Sequence, residues 1–354
     1  MITNYYQLWL FPFLSLRKRP LPRGVSQRFY HSFEDGLWHI LQYRDIPKNS
    51  VILVPDFYCT DVVNNIRTHG YTPVYYGLDK HFQISTVRLR AMIRQRRPGA
   101  VIIFHAAGVT SHTKIPNTKR TLIIEDCVHR IVDGNTLRIR HKNHYVLDSL
   151  RKVTPLPGSR MFGKNSTIPD THTPAINGYF LRSFAWFILF RIAYVSGMLI
   201  HWPQLVRFSH EVILKHHDDV IGDNPTPTQG LSWPLFFADR INVTRIANIK
   251  VQQVKLYRLL LSGLPRSYDI LLNTKEFGNL HAYPLTFRGA PRPDLISHLH
   301  KRGIVVWYKF PDSPWSKRRS VIFLPLGPHV RNVDIAAISN ALHHWPAHPP
   351  LSRE

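Results

Sequence analysis

The sequence predicts an α/β protein in which a mostly parallel sheet lies between layers of helices, followed by a smaller α+β domain. Short, continuous apolar runs recur through the first 150 residues, and amphipathic stretches typical of helices separate them. Strands that are buried on both faces are apolar throughout, unlike the alternating strands of a half-exposed sheet. The composition agrees, because 44% of the residues are hydrophobic and only 19% are charged, which is enough to form a large core.

Five apolar runs define the predicted strands of this sheet. They are residues 51–54, 73–76, 100–104, 121–124 and 145–147, with predicted helices at 61–69 and 86–96. In parallel sheets, functional groups collect beyond the carboxyl ends of the strands. Four segments occupy such positions: 55–60, 105–108, 126–129 and 149–152. We therefore expect these four segments to line one crevice.

The second half of the chain predicts the smaller domain. A loop rich in Pro, Thr and Gly at 225–234 precedes a long helix predicted over 236–261, where apolar residues recur near helical spacing. The later predicted elements are a strand at 280–287, a helix at 293–302, strands at 304–307 and 321–324, and a helix at 333–343. The predicted organisation is an N-terminal arm (1–24), a large α/β domain (25–235), a linking helix with the small domain (236–345) and a tail (346–354).

The chain is strongly basic, with 46 Lys and Arg against 22 Asp and Glu, a net charge of +24 when the 21 His are neutral. Such a charge is compatible with nucleic acid, an anionic membrane or a phosphorylated substrate. The basic residues are scattered, however, with short clusters only at 17–19, 94–97 and 317–319. No helix-turn-helix, RNP or zinc-finger pattern occurs, so nucleic acid is not the expected partner. A general basic surface is the favoured interpretation, and a dedicated polyanion site is the alternative.

Cysteine usage limits the class of protein further. Cys59 and Cys127 are the only two cysteines in the sequence, too few for a disulfide scaffold or a Cys-rich zinc module. We therefore predict no metal site and expect a reducing, cytoplasmic location.

Two apolar segments raise the question of a membrane. Residues 8–16 are followed, not preceded, by basic residues, so an ordered arm is favoured over a signal peptide. The aromatic-rich segment 178–203 contains a stretch, 178–200, that is long enough to span a bilayer. Arg182 and Arg191 lie half a turn out of phase on a helix, and an unpaired Arg at mid-bilayer costs roughly 2.5–3.5 kcal/mol on insertion scales. A helix packed on the core is favoured. Contact with an anionic membrane surface and a spanning helix remain as alternatives.

Six short motifs then occur in a fixed order. They are VPDFYC (54–59), GYTPV with LD (70–74 and 78–79), FHAAG (104–108), IEDCVH (124–129), SLRKVTPLPG (149–158), and LPL followed by DI (324–326 and 334–335). Each motif alone is unspecific. As an ordered set they resemble the DegT/DnrJ/EryC1/StrS aminotransferases, the sugar aminotransferase branch of the fold type I enzymes that use pyridoxal 5'-phosphate (PLP). The resemblance runs from residue 32 to about residue 342.

This resemblance implies a cofactor and a role for several residues. Lys152 is the residue expected to hold PLP as a Schiff base and to act as a general base and acid. Asp126 is expected to pair with the protonated ring nitrogen, which keeps PLP an electron sink. A Schiff base requires an unprotonated amine, so the lysine must lose its proton. His129 matches a family position near the cofactor ring, and Ser149 is expected near the phosphate. For His129, a core or surface histidine with no ligand is the alternative.

The sequence also departs from the family pattern. The phosphate-binding segment of the family reads close to SGTaAL, whereas residues 32–37 read SFEDGL. Ser32 matches, but Phe33 and Glu34 replace Gly and Thr, and carboxylates repel a phosphate unless they point away. Cys59 stands where many relatives have an aromatic residue against the ring, with Tyr58 adjacent, and the usual Gly-Gly after the lysine is Gly158-Ser159. Ser32, Tyr58 and Cys59 complete the predicted cofactor-binding set.

Two functions of different classes follow from the sequence. One is a homodimeric aminotransferase that passes an amino group from a glutamate-like donor to a keto-sugar linked to a nucleotide. The other is a catalytically silent relative that binds a glycan precursor, a partner protein or an anionic membrane surface. The altered phosphate segment and the aromatic residues around 184–190 motivate the second.

Overall fold

The computed structural model describes residues 1–3, 11–111, 118, 120–134, 137–168, 176–224, 226–264, 268–270 and 277–345. The predicted tail, residues 4–10 of the predicted arm, and residue 225 of the predicted loop lie outside the described residues. The described part contains a seven-stranded sheet, a three-stranded sheet, a two-stranded pair and eleven α-helices.

The seven-stranded sheet has the strand order β2-β8-β7-β6-β5-β3-β4. Its strands are β2 (Val25–Tyr30), β3 (Val51–Pro55), β4 (Thr72–Tyr76), β5 (Ala100–Phe104), β6 (Leu122–Asp126), β7 (His144–Leu147) and β8 (Ser159–Lys164). Strands β3 to β7 are parallel, β8 is antiparallel to β7, and β2 is antiparallel to β8. The five predicted strands are the five parallel ones, whereas β2 and β8 are additional.

Four helices accompany this sheet: α1 (Phe33–Tyr43), α2 (Thr60–Thr68), α3 (Thr86–Arg96) and the short α4 (Leu150–Val153). Capping explains where two of them begin. The Ser32 side chain accepts a hydrogen bond from the Asp35 N–H at the start of α1, and Ser85 does the same for Arg88 at the start of α3. The carboxyl ends of β6 and β7 lead directly into residues 126–129 and into α4.

A helical block follows β8. It consists of α5 (Gly178–Leu199), α6 (Pro203–Phe208), a π-helical segment (Ser209–Ile213) and α7 (Leu214–Gly222). Asn177 caps α5, since its side chain accepts a hydrogen bond from the Phe180 N–H at 2.8 Å. One face of α5 is buried, with Phe187, Phe190 and Tyr194 at its centre. As predicted, this helix packs on the protein's own core, because that face lies against α6 and α7.

The prediction of one long helix over 236–261 is wrong, because the structure has two helices in this region. They are α8 (Ser232–Ala238) and α9 (Val243–Leu260). Asn242 begins α9 by accepting a hydrogen bond from the Arg245 N–H at 3.1 Å. The N-terminal arm occupies the break, since Leu14 pairs with Ile241 and the Asn242 N–H donates to the Phe13 carbonyl at 2.6 Å.

The C-terminal part forms two small sheets. The antiparallel sheet has the order β12-β10-β9, and the N-terminal strand β1 pairs in parallel with β11. The remaining elements are β1 (Ile2–Thr3), β9 (Tyr268–Ile270), β10 (Tyr283–Arg288), α10 (Pro293–Lys301), β11 (Ile304–Val305), β12 (Arg319–Leu324) and α11 (Asn332–His343). One continuous apolar core joins the two halves of the chain, for example through Phe104, Leu280 and Phe323.

Candidate active site

A cavity of about 480 Å³ lies where the carboxyl ends of the parallel strands meet the helical block and the segment 307–312. Its walls include six of the seven predicted site residues, which are Tyr58, Cys59, Asp126, His129, Ser149 and Lys152. Ser32 is not among the lining residues. The four segments predicted to share one crevice contribute unequally, since 55–60, 126–129 and 149–152 line the cavity but residues 105–108 do not.

Asp126 is buried at the end of β6 and accepts two hydrogen bonds from neutral donors. The Tyr58 hydroxyl donates to Oδ2 at 2.6 Å, and the Val128 N–H donates to Oδ1 at 3.0 Å. Burial raises the pKa of this carboxyl to about 7, although both hydrogen bonds act in the opposite direction. A cation placed against this carboxylate would therefore stabilise its charged form.

Lys152 reaches the same cavity from α4. Burial, together with the nearby Arg151 guanidinium, lowers the pKa of its amine below the ordinary lysine range. The unprotonated amine that covalent chemistry requires is consequently easier to reach at neutral pH. Two further cavity residues, Lys309 and Asp218, add charges nearby, and the Lys309 pKa is lowered to about 8 by burial and by Lys152.

Arg151 and Asp218 form an ion pair on the wall beside Lys152, with Nη2 and Oδ1 at 2.6 Å. The His217 ring nitrogen Nδ1 lies 3.0 Å from the same oxygen. Burial alone would raise the pKa of Asp218, but Arg151 and the His217 hydrogen bond outweigh it, so the pKa is lowered. This pair was not predicted, because Asp218 lies 67 residues from Arg151 and on a helix outside the motifs.

His129 is a neutral, oriented imidazole. Its Nδ1 accepts a hydrogen bond from the Ala107 N–H at 3.2 Å, which assigns the ring proton to Nε2. Burial lowers its pKa well below the ordinary value, and the neighbouring His281 acts in the same direction. The two imidazoles are stacked with centroids 4.9 Å apart. His281 also lines the cavity, although no sequence motif indicated it.

Two of the predicted site residues, Ser149 and Cys59, each lie directly before a helix. Ser149 precedes α4 and Cys59 precedes α2, and neither side chain caps its helix. Both are therefore available to the cavity rather than to the backbone. Cys59 Sγ lies 3.7 Å from Asp61 Oδ2, and desolvation raises the pKa of this half-buried thiol, which favours its protonated form.

The two carboxylates of the altered phosphate segment have different surroundings. Asp35 points away from the cavity and accepts hydrogen bonds from Ser32 Oγ, Asn224 Nδ2 and the Thr228 N–H at 2.6, 3.0 and 2.9 Å. Ser32 is thus engaged by Asp35. Glu34 instead lines the cavity, where burial raises its pKa. Of the two carboxylates, only Glu34 lines the cavity.

The turn after β5 brings the two halves of the chain into close contact. The His281 N–H donates to the Ala107 carbonyl at 2.8 Å. Gly108 follows with a φ of 82°, and a Cβ at this position would lie 2.2 Å from the Asn279 carbonyl oxygen. A side chain at position 108 would therefore strain the backbone and collide with the C-terminal part.

Comparison with known proteins supports the family resemblance. The model of the DegT/DnrJ/EryC1/StrS aminotransferase family matches residues 32–133. No curated protein matches the sequence. The predicted resemblance is therefore confirmed, with the matched region containing the β3–β6 part of the sheet and the site residues Tyr58, Cys59, Asp126 and His129.

Solved structures extend the similarity to most of the chain. DesV of S. venezuelae, in complex with a ketimine intermediate, has a TM-score of 0.56 at 14% identity, covering 97% of this chain and 91% of its own. Spr1654 of Streptococcus pneumoniae, designated a sugar aminotransferase and solved in its PLP form, has a TM-score of 0.56 at 14% identity, covering 89% and 86%. DesI, solved with its TDP-sugar product, has a TM-score of 0.55 at 13% identity, covering 94% and 81%. The fold is the PLP-dependent fold type I, as predicted.

PLP is compatible with several residues of the cavity. Asp126 is a buried carboxylate whose two hydrogen-bond donors are neutral, so a protonated ring nitrogen would supply a positive partner. Lys152 lies in the same cavity with an amine of lowered pKa. Ser149 and Arg151, which also line the cavity, are suitable for a phosphate, whereas Glu34 opposes it.

Proposed function

We propose that this protein is a PLP-dependent aminotransferase of the sugar aminotransferase type, which transfers an amino group to a keto-sugar and holds its cofactor covalently through Lys152. The convergence of Lys152 and Asp126 in one cavity of about 480 Å³ carries this proposal. These two residues follow neighbouring strands of the sheet, and the family model matches the strand that bears Asp126. Among the described residues, Glu34 in the cavity wall is the feature that bears on the catalytically silent alternative, and PLP uptake by the wild-type chain decides between the two.

Each residue has a chemical role in this proposal. When bound, PLP supplies the electron sink that stabilises negative charge at the substrate carbon. Asp126 keeps the ring nitrogen protonated by ion pairing, and the Tyr58 hydroxyl stabilises the carboxylate form. Lys152 accepts a proton and later returns it, and burial, which lowers its pKa, favours the unprotonated form that this step needs. His129 presents its Nε2–H as a neutral donor that orients a ligand oxygen.

The proposal also includes the two substrates. The acceptor is a keto-sugar linked to a nucleotide, and the amino donor is glutamate-like. DesI, which shares the fold, was solved with a TDP-sugar product. Arg151, Lys215 and Lys309 line the cavity together with six carboxylates, Glu34, Asp61, Asp126, Glu211, Asp218 and Asp312, so the nucleotide part of the proposal rests on this shared fold and not on the charge of the lining. We further propose a homodimer located in the cytoplasm, where the free thiols of Cys59 and Cys127 stay reduced.

Covalent binding of PLP to Lys152 is the direct test. The purified chain is mixed with PLP, reduced with borohydride and digested, and the modified peptide is located by mass spectrometry. We expect a yellow protein whose visible absorbance disappears on reduction and a single modification at Lys152. Lys152→Ala should remain colourless.

Lys309→Ala is the matched control, because Lys309 is a second lysine in the same cavity with a lowered pKa. It should retain the yellow colour and the adduct at Lys152. A wild-type protein that takes up no PLP, or an adduct on Lys309 that persists in Lys152→Ala, would contradict the proposal. Transfer is then measured with glutamate and a panel of nucleotide-linked keto-sugars.

A further inference from the structure

A second cavity, of about 200 Å³, lies on the opposite face of the seven-stranded sheet from the candidate active site. Glu125 and Cys127 line this cavity, whereas Asp126 and Val128 line the candidate active site. Successive side chains of an extended chain point to opposite faces, so the end of β6 separates the two cavities. Within the described part of the chain they share no lining residue. We call the smaller one the rear cavity.

Positive charge predominates in the wall of the rear cavity. Its charged residues are one carboxylate, Glu125, and three arginines, Arg130, Arg138 and Arg140. The candidate active site differs, because six carboxylates line it. Since a guanidinium group stays protonated in proteins, the rear cavity favours an anionic ligand.

The single carboxylate of the rear cavity already has partners on both of its oxygens. His105 Nε2 donates a hydrogen bond to Glu125 Oε2 at 2.9 Å, and His144 Nε2 lies 2.8 Å from Oε1. These two contacts outweigh the effect of burial and lower the pKa of Glu125. Glu125 is therefore satisfied by the two imidazoles and does not need the arginines as partners.

Arg130 has a buried donor without a protein acceptor. Its Nη1 donates to Thr110 Oγ1 at 3.3 Å, but its Nε has no hydrogen-bond partner in the part of the chain that the structure describes. A buried N–H without an acceptor is unfavourable and rare in native structures. An oxygen of a ligand in the rear cavity would satisfy this donor.

Arg138 and Arg140 belong to an anchored segment. Leu137 and Ile139, which alternate with them, are buried in an apolar cluster with residues of β7 and β8. The Arg140 N–H also donates to His144 Nδ1 at 3.0 Å. Both arginine side chains are exposed, and neither forms an ion pair with another described residue. The backbone is thus fixed beside the cavity while two cations remain available to a ligand.

A metal ion is a less suitable occupant of the same cavity. Ligand atoms of His105, Glu125 and Cys127 do lie within 4.8 Å of one another. However, the Ser111 N–H donates to His105 Nδ1 at 3.1 Å, so the proton of the neutral ring is on Nε2, which faces Glu125. A metal at Nε2 would move that proton to Nδ1, where it would meet the Ser111 N–H, donor against donor. The three arginines would also repel a cation.

We propose that the rear cavity binds the phosphate group of a small molecule, with Arg130, Arg138 and Arg140 as its cationic partners. A guanidinium group can donate two parallel hydrogen bonds to neighbouring oxygens of a phosphate. A phosphate has more oxygens and more negative charge than a carboxylate, so it is better matched to three arginines. The rear cavity has less than half the volume of the candidate active site, which limits the ligand to inorganic phosphate or a compact phosphate ester.

Isothermal titration calorimetry with the full chain tests the proposal. The probes are inorganic phosphate, glycerol 3-phosphate as a compact ester, and acetate as a carboxylate. We expect saturable binding of a phosphate probe, with acetate bound roughly tenfold more weakly or less. The tighter of the two phosphate probes shows whether the free ion or an ester is the ligand. Arg130→Gln, and separately the double variant Arg138→Gln, Arg140→Gln, should each weaken binding by roughly ten- to a hundredfold, because charge-assisted hydrogen bonds are lost.

Arg90→Gln is the matched control, because Arg90 is an exposed arginine on α3 that lines neither cavity. It should bind phosphate like the wild type, and thermal unfolding should show that each variant is folded. The double variant changes only exposed side chains, so it tests the site even if Arg130→Gln does not fold.

The proposal is overturned if the wild type binds neither phosphate probe, or if Arg90→Gln loses as much affinity as the rear-cavity variants. Loss of phosphate binding in Arg151→Gln but not in the rear-cavity variants would place the phosphate in the larger cavity and overturn it as well. Binding of Zn²⁺ that His105→Gln abolishes, in a protein without affinity for phosphate, would have the same consequence. Because the rear cavity shares no described residue with the candidate active site, failure of this test leaves the proposed function unaffected.

Discussion

The hydroxyl of Tyr58 donates a 2.6 Å hydrogen bond to Oδ2 of Asp126, and both side chains are buried. This bond links the segment after β3 to the end of β6. The Asp126 carboxyl has a pKa raised to about 7 by burial, and the Tyr58 hydrogen bond opposes that rise. The charge on Asp126 near neutral pH therefore depends on its tyrosine partner.

Tyr58→Phe should weaken PLP binding. Loss of the hydrogen bond raises the Asp126 pKa further, so less carboxylate is available at pH 7 to pair with the ring nitrogen. A hydrogen bond to a charged group is worth about 1.5–3 kcal/mol, which corresponds to a loss of affinity of roughly ten- to a hundredfold. Absorbance titration of PLP at several pH values measures this, and the loss should shrink as the pH rises.

Tyr76→Phe controls for the loss of a buried tyrosine hydroxyl, because Tyr76 donates to the Ile102 carbonyl at 2.6 Å on the same sheet. It should lower stability without a comparable effect on PLP affinity. Equal affinity losses in both variants would show that Tyr58 acts through general stability rather than through Asp126.

Asp126→Asn should stabilise the cofactor-free protein at high pH while abolishing activity. The folded pKa, about 7, lies above the ordinary value of 3.8, so the folded state binds more protons than the unfolded state between these values. Stability contributed by Asp126 is therefore present at low pH and lost as the pH rises through 7. The advantage of Asn should grow by roughly 2–3 kcal/mol from pH 5 to pH 8, at 1.36 kcal/mol per pKa unit. Chemical denaturation at the two pH values measures it, and a pH-independent difference would refute the assignment.

Glu34→Gln should strengthen PLP binding. Glu34 lines the cavity, and its carboxylate, when ionised, repels a phosphate bound there. Because burial raises the Glu34 pKa, the gain should grow as the pH rises and the carboxyl ionises. Titration with PLP gives the affinity. Asp35→Asn is the control, since Asp35 points into a buried hydrogen-bond network and should change stability rather than affinity.

Arg160→Met should destabilise the protein by about 3–5 kcal/mol. Arg160 on β8 and Asp148 after β7 form a buried pair, with Nη2 and Oδ2 2.7 Å apart and both side chains under a tenth exposed. Removal of the guanidinium leaves a buried carboxylate without its partner. Arg331→Met removes the exposed member of the Arg331–Asp334 pair and should have a much smaller effect. Urea unfolding of the two variants measures the difference.

The sequence was informative where burial on both faces imposed an apolar pattern. Strands β3 to β7 follow from such runs, and the motifs after them placed Asp126 and Lys152 in one crevice. Strand β8 contains Arg160, whose buried guanidinium is paired with Asp148 and lies near Asp239, and no local sequence pattern reveals such partners. The break between α8 and α9 depends on pairing with the N-terminal arm, which hydrophobic spacing does not show.

The sequence predicted the residues expected to carry the chemistry, but not the residues that surround them in the cavity. Lys152, Asp126 and His129 lie in motifs, whereas Asp218, His281 and Lys309 come from elements that only folding brings to the cavity. The sequence likewise could not distinguish Glu34 from Asp35. Adjacent residues on a helix point in different directions, and only the partners Asn224 and Thr228 show which carboxylate is turned away.

Gly108 has a mechanical consequence for the molecule. Its missing side chain lets the turn after β5 press against the Asn279 carbonyl, while the Ala107 carbonyl holds the His281 amide beside it. The C-terminal part therefore cannot swing freely away from the sheet at this point. Any motion of the C-terminal part relative to the sheet must therefore either rotate about the contact at Gly108 or break it.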